Sequence, residues 1–391
     1  MKAAKRWSVG NLASLPGARH RAPARRRQWI IMALSLIIMT LSLITMLAIM
    51  AYMYPHHSKR ACYMISSRGC KALADWLPPS LREYSDDEIA ARVVIREIMS
   101  NAPVIRRDSK IAFMFLTPGT LPFERLWDRF FQGHEGKFSV YIHASKERPV
   151  HQSHYFANRE IRSDERRLLA NALRDPANQQ FVLLSESCVP LRSFEYIYNY
   201  LMYNNLSYVD CFDDPGQHGS GRHMDHMLPE IPKKYFRKGA QWFTMKRQHA
   251  IVIMADSLYY SRFRDYCGPG IENNKNCIAD EHYLPTFFHM LDPGGISNWS
   301  VTQVDWSERQ WHPKTYMPED VTHELLNNLT STDTVVHVTS VGMQGEEIWM
   351  PCMWNGIKRP CFLFGRKFHP DTLDKLLDLF SNYTRSVSWH L

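Results

Sequence analysis

From Lys110 onward the chain alternates between two hydrophobic rhythms. "KIAFMFL" (110–116) is a continuous apolar run of strand length, the pattern of a strand covered on both faces. Thr117-Pro118-Gly119-Thr120 then turns the chain. "LPFERLWDRFFQ" follows with helical spacing, and "KFSVYIHAS" (137–145) reads as a second strand. This is a βαβ unit, so the turn after the first strand lies where open α/β sheets receive ligands. "QQFVLLSES" (179–187) predicts a further strand and "SFEYIYNYLMY" a helix. "QWFTMKRQHAIVIMADSLYYSRF" reads as a strand running into one helix, and "DTLDKLLDLFSNY" as a final helix. Strand and helix in alternation, without internal repeat, predict an α/β body over residues 106–391.

The first hundred residues follow another pattern. Residues 29–54, "WIIMALSLIIMTLSLITMLAIMAYMY", carry no charge, which is ample for a hydrocarbon core ~30 Å thick. Trp29, Tyr52 and Tyr54 stand at its ends, where aromatic belts form. The run is too long for the ~7–15-residue apolar region of a cleavable signal peptide. Residues 55–105 read as a stem with one amphipathic helix after Pro78-Pro79.

Charge sharpens this picture. The formal net charge is +8, which alone suggests a nucleic-acid or membrane partner. Residues 1–28, however, hold eight Lys and Arg and no Asp or Glu, so the remaining 39 basic residues equal the 39 acidic ones. The body is neutral, which argues against nucleic acid. The positive-inside rule puts residues 1–28 in the cytosol and everything after Pro55 on the lumenal side of a single-pass, type II anchor. All eight cysteines follow the anchor, as disulfides in an oxidising compartment would. Acceptor tripeptides for N-glycosylation occur at Asn205, Asn298, Asn328 and Asn382.

The candidate chemistry sits in "CIADEHYLPT" (277–286). Adjacent side chains diverge by ~100° on a helix or ~180° on a strand, so Asp280, Glu281 and His282 do not converge on one ion. No Asp-x-Asp pair occurs in the chain. Asp280 could cap a helix with Glu281 in its first turn, or Glu281 could act as a base; the residues alone leave both open. Pro285 is compatible with an early helical turn but would distort a longer helix.

The blocks "QQFVLLSESCVPL", "DDPGQHGSGR", "HMLPEIPKKYFRKGAQWFTMKRQHA", "CIADEHYLPTFFHM" and "NWSVTQVDWSERQWHPKTY" occur in this order. They resemble the core-2/I-branching β-1,6-N-acetylglucosaminyltransferase family, glycosyltransferase family 14, in its plant branch, over roughly Lys110 to His369. The resemblance implies a GT-A-like, Rossmann-type nucleotide-binding fold and a Golgi membrane protein with a lumenal catalytic domain. It implies inverting transfer from a UDP-sugar (N-acetylglucosamine or glucuronate) to a glycan or glycoprotein acceptor, without metal or other cofactor. Glu281 is then the general base. Thr117, Pro118, Gly119, His143 and Ser145 match donor-binding turns, and Lys358 or Arg359 with Lys367 would neutralise the diphosphate. Asp213, Arg222 and Trp242 fall near acceptor-side positions, and Cys352 matches Cys361 as a disulfide partner. Association with other Golgi glycosyltransferases is a further expectation.

In one place the chain departs from that pattern. Plant members carry a further stretch between Ser163 and Asp164, bordering the donor sugar, which is missing here. Its absence raises the alternative of an inactive scaffold that binds a glycan or a partner enzyme.

Overall fold

The computed structural model describes residues 108–144 and 165–384, apart from 273, 274, 309, 311, 343 and 344; it also describes residues 32, 34–46, 88, 95, 98 and 99. The expected cytosolic tail, most of the expected anchor and stem, Cys62, Cys70, Ser145 and the Ser163–Asp164 junction lie outside the described residues. The chain divides into two compact units, Met1–Leu81 and Arg82–Leu391. In the first, residues 34–46 are helical with exposed side chains. Among the described residues no helix is long and apolar enough to cross a membrane.

The second unit is built on a six-stranded sheet. Its strands are β1 (Lys110–Thr117), β2 (Phe138–Ala144), β3 (Asn178–Ser185), β4 (Ser207–Asp210), β5 (Thr244–Lys246) and β6 (Ile296–Asn298), in spatial order β2-β1-β3-β5-β4-β6. β1 pairs in parallel with β2 and β3, β5 runs antiparallel to β3 and β4, and β4 pairs in parallel with β6. Five strands therefore point the same way and end on one edge, where β5 begins. This parallel-rich α/β sheet fits the expected GT-A-like, Rossmann-type arrangement.

The helices are α1 (Glu124–Phe131), α2 (Glu165–Ala172), α3 (Phe194–Met202), α4 (Arg247–Ala255), α5 (Leu258–Tyr266), α6 (Ala279–Leu291), α7 (His323–Ser331) and α8 (Leu373–Tyr383). β1 shows why its apolar run is unbroken. Ile111, Phe113 and Phe115 enter one core with α1, α3, α7 and α8, while Ala112 and Met114 enter the other with α2, α4, α5 and α6. α1 buries Leu126, Trp127, Phe130 and Phe131 and leaves Arg125 and Arg129 exposed. Phe113 meets the rings of Trp127 and Phe131 at 6.0 and 5.0 Å. Each such side chain contributes ~1.5–3 kcal/mol on burial.

Two features of the fold differ from the sequence reading. Ile95, read as part of the stem, is 2% exposed and belongs to the second core. The helix expected after β5 is two helices, broken at Asp256. That carboxylate accepts the N–H groups of Tyr259 and Tyr260 at 3.0 and 2.9 Å, together with the Tyr283 hydroxyl at 2.7 Å. A side chain that satisfies the first amides of a helix starts a new one.

A small sheet of Thr302–Val304, Phe364–Arg366 and Val189–Pro190 returns the C-terminal region to the carboxyl end of β3. Two disulfides tie the body, Cys352–Cys361 as expected and Cys267–Cys277 in addition, while Cys188 and Cys211 are buried thiols.

Candidate active site

α6 begins at Ala279 with Ile278 as its N-cap, so Asp280 is not the cap and lies inside the first turn with Glu281. The Asp280 carboxylate is half-buried, and burial and the Glu281 charge push its pKa up. Pro285 sits inside this 13-residue helix without ending it. Lacking an N–H, it cannot bond the carbonyl four residues earlier, which is that of Glu281. Gly239 supplies the missing donor, its N–H reaching the Glu281 oxygen at 2.9 Å. Only glycine fits there, because a Cβ would lie 2.0 Å from the Asp210 carbonyl and 2.8 Å from Pro285 Cγ. Glu281 is thereby fastened to the end of β4.

The Glu281 side chain is held from the "DDPGQHGSGR" loop. Arg222 Nη1 donates to Glu281 Oε2 at 2.7 Å, both side chains being partly buried. Among the described residues no group hydrogen-bonds the other oxygen, Oε1. The loop's shape depends on Asp214, which is 1% exposed. Its Oδ1 accepts from the amides of Gly216 and Ser340 at 2.9 and 2.8 Å, and Ser340 Oγ reaches Oδ2 at 2.8 Å. A Cβ on Gly219 would stand 2.0 Å from the Asp214 carbonyl, so the loop closes only around glycine. Lys238 Nζ stands 4.0 Å from Asp214 Oδ2, and burial, opposed first by the Glu281 charge, lowers its pKa. An open pocket beside this loop is lined by Pro215, Gly216, Gln217, Ser340, Val341 and Gly342.

The other expected residues divide cleanly. Thr117, Pro118 and Gly119 end β1, with Thr117 Oγ1 donating to the Thr120 carbonyl at 2.7 Å and accepting the Gly119 N–H at 3.0 Å. His143 is paired in register with Leu116 at the end of β2. Trp242 precedes β5 at the same edge and is 6% exposed. Lys367 follows the strand Phe364–Arg366, and its neighbour Phe368 donates to the Ser187 carbonyl at 3.1 Å, just past β3. Asp213 is exposed, 3.8 Å from Arg237 Nη1. These residues line the carboxyl edge together with Arg222 and Glu281.

Lys358 and Arg359 are not brought there. They lie in the hairpin enclosed by Cys352 and Cys361, whose Trp354 Nε1 donates to the Tyr200 carbonyl at 3.0 Å. Tyr200 is near the end of α3, beside the start of β3, where Gln180 bonds Leu201. Lys358 pairs with Asp333 at 2.9 Å, and the Arg359 guanidinium lies 5.9 Å from the Trp354 ring centre. The glycosylation candidates Asn205, Asn328 and Asn382 are exposed. Asn298 is half-buried at the end of β6 with φ 68°, between β4 and buried Trp299.

Sequence reasoning missed Asp214, chosen against in favour of its neighbour Asp213, although a Pro-Gly turn directly after it signals a loop-organising acid. It also missed Arg366, whose guanidinium covers the Trp242 ring at 4.3 Å and whose pKa burial lowers. The "GRK" triplet held that signal beside Lys367.

A carboxylate in the first turn of a helix, one oxygen clamped and one open, thus stands beside the strand ends of a parallel-rich α/β sheet. The core-2/I-branching enzyme family model matches residues 111–330, more than half of the chain. Over 330 residues the chain is 34% identical to Glycosyltransferase BC10 of Oryza sativa subsp. japonica, covering 73% of this chain and 80% of that protein. The protein is a glycosyltransferase. It belongs to the core-2/I-branching enzyme family, whose matched region contains Arg222, Trp242 and Glu281 and stops short of Lys367.

Proposed function

We propose that the protein is an inverting, metal-independent glycosyltransferase in which Glu281 removes the proton of the acceptor hydroxyl. The observation that carries this reading is the single-oxygen clamp: Arg222 takes Oε2 at 2.7 Å and leaves Oε1 open. A carboxylate so held is oriented and keeps a lone pair for a proton. The hydroxyl, once deprotonated, attacks the anomeric carbon from the face opposite the departing UDP, giving a β linkage from an α-linked donor. The donor lies over the ends of β1 and β2, at Thr117, Pro118, Gly119 and His143, and Lys367 faces the leaving diphosphate from the end of β3. Lys367 suits this task as a flexible point charge, and the lack of any Asp-x-Asp pair leaves the diphosphate to such cations. Asp213, Arg222 and Trp242 border the acceptor.

The donor is a UDP-sugar of the N-acetylglucosamine or glucuronate type and the acceptor a lumenal glycan or proteoglycan. A Golgi type II placement rests on the uncharged residues 29–54 following eight cations, and on two disulfides, which persist in oxidising compartments. The alternative of a non-catalytic scaffold rests on the short Ser163–Asp164 junction alone.

The test is transfer by the purified full chain from UDP-N-acetylglucosamine and UDP-glucuronate to glycan acceptors, with and without EDTA, reading the product anomer by NMR. A β-linked product at equal rate in EDTA is expected. An α-linked product, or loss of activity in EDTA, overturns the mechanism, and absence of both transfer and UDP binding favours the scaffold.

A further inference from the structure

His282 follows Glu281 on α6 and is 0% exposed. Its Nδ1 stands 2.8 Å from the Arg237 carbonyl, which can only accept, so Nδ1 carries a proton. Phe236 stacks on the ring at 4.6 Å and 21° and fixes its plane. Burial lowers the pKa to about 3, so the imidazole is neutral and Nε2 presents a bare lone pair. That lone pair faces Arg222 Nη1 at 3.4 Å.

The hydrogens on Nη1 decide what this contact does. A guanidinium nitrogen of this kind carries two. One goes to Glu281 Oε2 at 2.7 Å and the other points to His282 Nε2. Arginine facing an isolated carboxylate favours a fork of two parallel bonds, one to each oxygen. Such a fork would engage both Glu281 oxygens, leaving neither free of the guanidinium charge and making the carboxylate a weaker base. No other described residue meets Nη1 at hydrogen-bond distance.

We propose that His282 is a positioning residue: its Nε2 lone pair holds Arg222 in a single-oxygen contact with Glu281 and so keeps Oε1 open to the acceptor hydroxyl. The proposal rests on the reading of Glu281 as the base. It assigns His282 no contact with substrate; it acts through Arg222.

Two variants of the full chain separate the two bonds of this imidazole. His282→Asn keeps an amide donor for the Arg237 carbonyl and removes the lone pair at Nε2. His282→Gln extends an amide oxygen toward Arg222 and gives up the Arg237 bond. Crystal structures and transfer kinetics of both are read together. In His282→Asn, Arg222 should fork onto both Glu281 oxygens, with kcat falling about tenfold, well short of the ~10²–10⁴-fold of outright base loss. Donor KM should stay within about twofold. His282→Gln should keep the single-oxygen contact and most of the rate. Arg222→Lys has no fork to form, so adding His282→Asn to it should lose no further rate. A single-oxygen contact surviving in His282→Asn, equal rate loss in the Asn and Gln variants, or a fork with unchanged kcat would each overturn the proposal. Undiminished transfer by Glu281→Gln would instead remove the base reading beneath it.

Discussion

The backbone N–H of Gly239 donates to the carbonyl of Glu281 at 2.9 Å. The bond exists because Pro285, one helical turn on, has no N–H to offer that carbonyl. A residue that ordinarily breaks helices has here freed an acceptor, and the loop from β4 has taken it. The side chain and the backbone of Glu281 are thus both held by the stretch between Asp210 and Gly239.

Gly239→Ala should show what this tie contributes. Its Cβ would meet the Asp210 carbonyl at 2.0 Å, and relief requires the loop to back away from α6. Overpacking of this kind costs ~1–3 kcal/mol. Urea unfolding should report that loss, and transfer rate should fall further than stability alone explains, since Arg222 shifts with the loop.

Two buried histidines set an acid limit on stability. Burial lowers the pKa of His249 to about 4 and of His282 to about 3. The 3.0 Å contact of His249 with Asp292 is therefore a hydrogen bond from an uncharged imidazole to a carboxylate at pH 7, not an ion pair. Their folded pKa values lie below the unfolded value of 6.5, so below pH 6.5 the unfolded state binds the extra protons. Stability present above that pH is lost as pH falls toward 4. Between pH 7 and pH 5 each residue should cost ~2 kcal/mol. Urea midpoints across this range measure it, and His249→Gln should flatten the slope.

The Cys352–Cys361 hairpin should matter to stability and not to turnover. It packs against the end of α3, away from the edge that carries Glu281 and Lys367. Replacing both cysteines by serine should cost ~2–3 kcal/mol for so short a loop and leave kcat unchanged. Lys358→Ala, which breaks an exposed pair with Asp333, should likewise leave transfer intact. A large kcat loss in either variant would restore the hairpin to the donor site.

The first three strands and helices α1 and α3 were legible in the sequence because β1, β2 and β3 are short apolar runs bounded by turn residues, and α1 and α3 have clear helical spacing; the short strands β4 and β6 were not. The break between α4 and α5 was not, because it depends on Asp256 meeting the amides of the next turn, a contact that leaves no mark on periodicity. Glu281 was found through family likeness, and the residues alone left it open against a cap. Arg222, Trp242 and Lys367 arrive at one edge because the strand order brings them there. Lys358 and Arg359 looked equivalent to Lys367 within eleven residues of chain, yet the strand Phe364–Arg366 carries the backbone between opposite ends of the sheet. Asp214, Gly239 and His282 act through contacts between distant segments, which spacing along one chain does not disclose.

The most direct measurement of the central claim is transfer by Glu281→Gln beside Asp280→Asn, with UDP affinity measured on both. The amide is nearly isosteric with the carboxylate and still meets Arg222, but it is a poor base. Glu281→Gln should lose at least the ~10²–10⁴-fold typical of removing a general base while UDP affinity and unfolding midpoint stay near wild type. Asp280→Asn, one residue earlier in the same helical turn, should keep most of the rate. Equal losses at both positions, or undiminished transfer by Glu281→Gln, would contradict the assignment of Glu281 as the base.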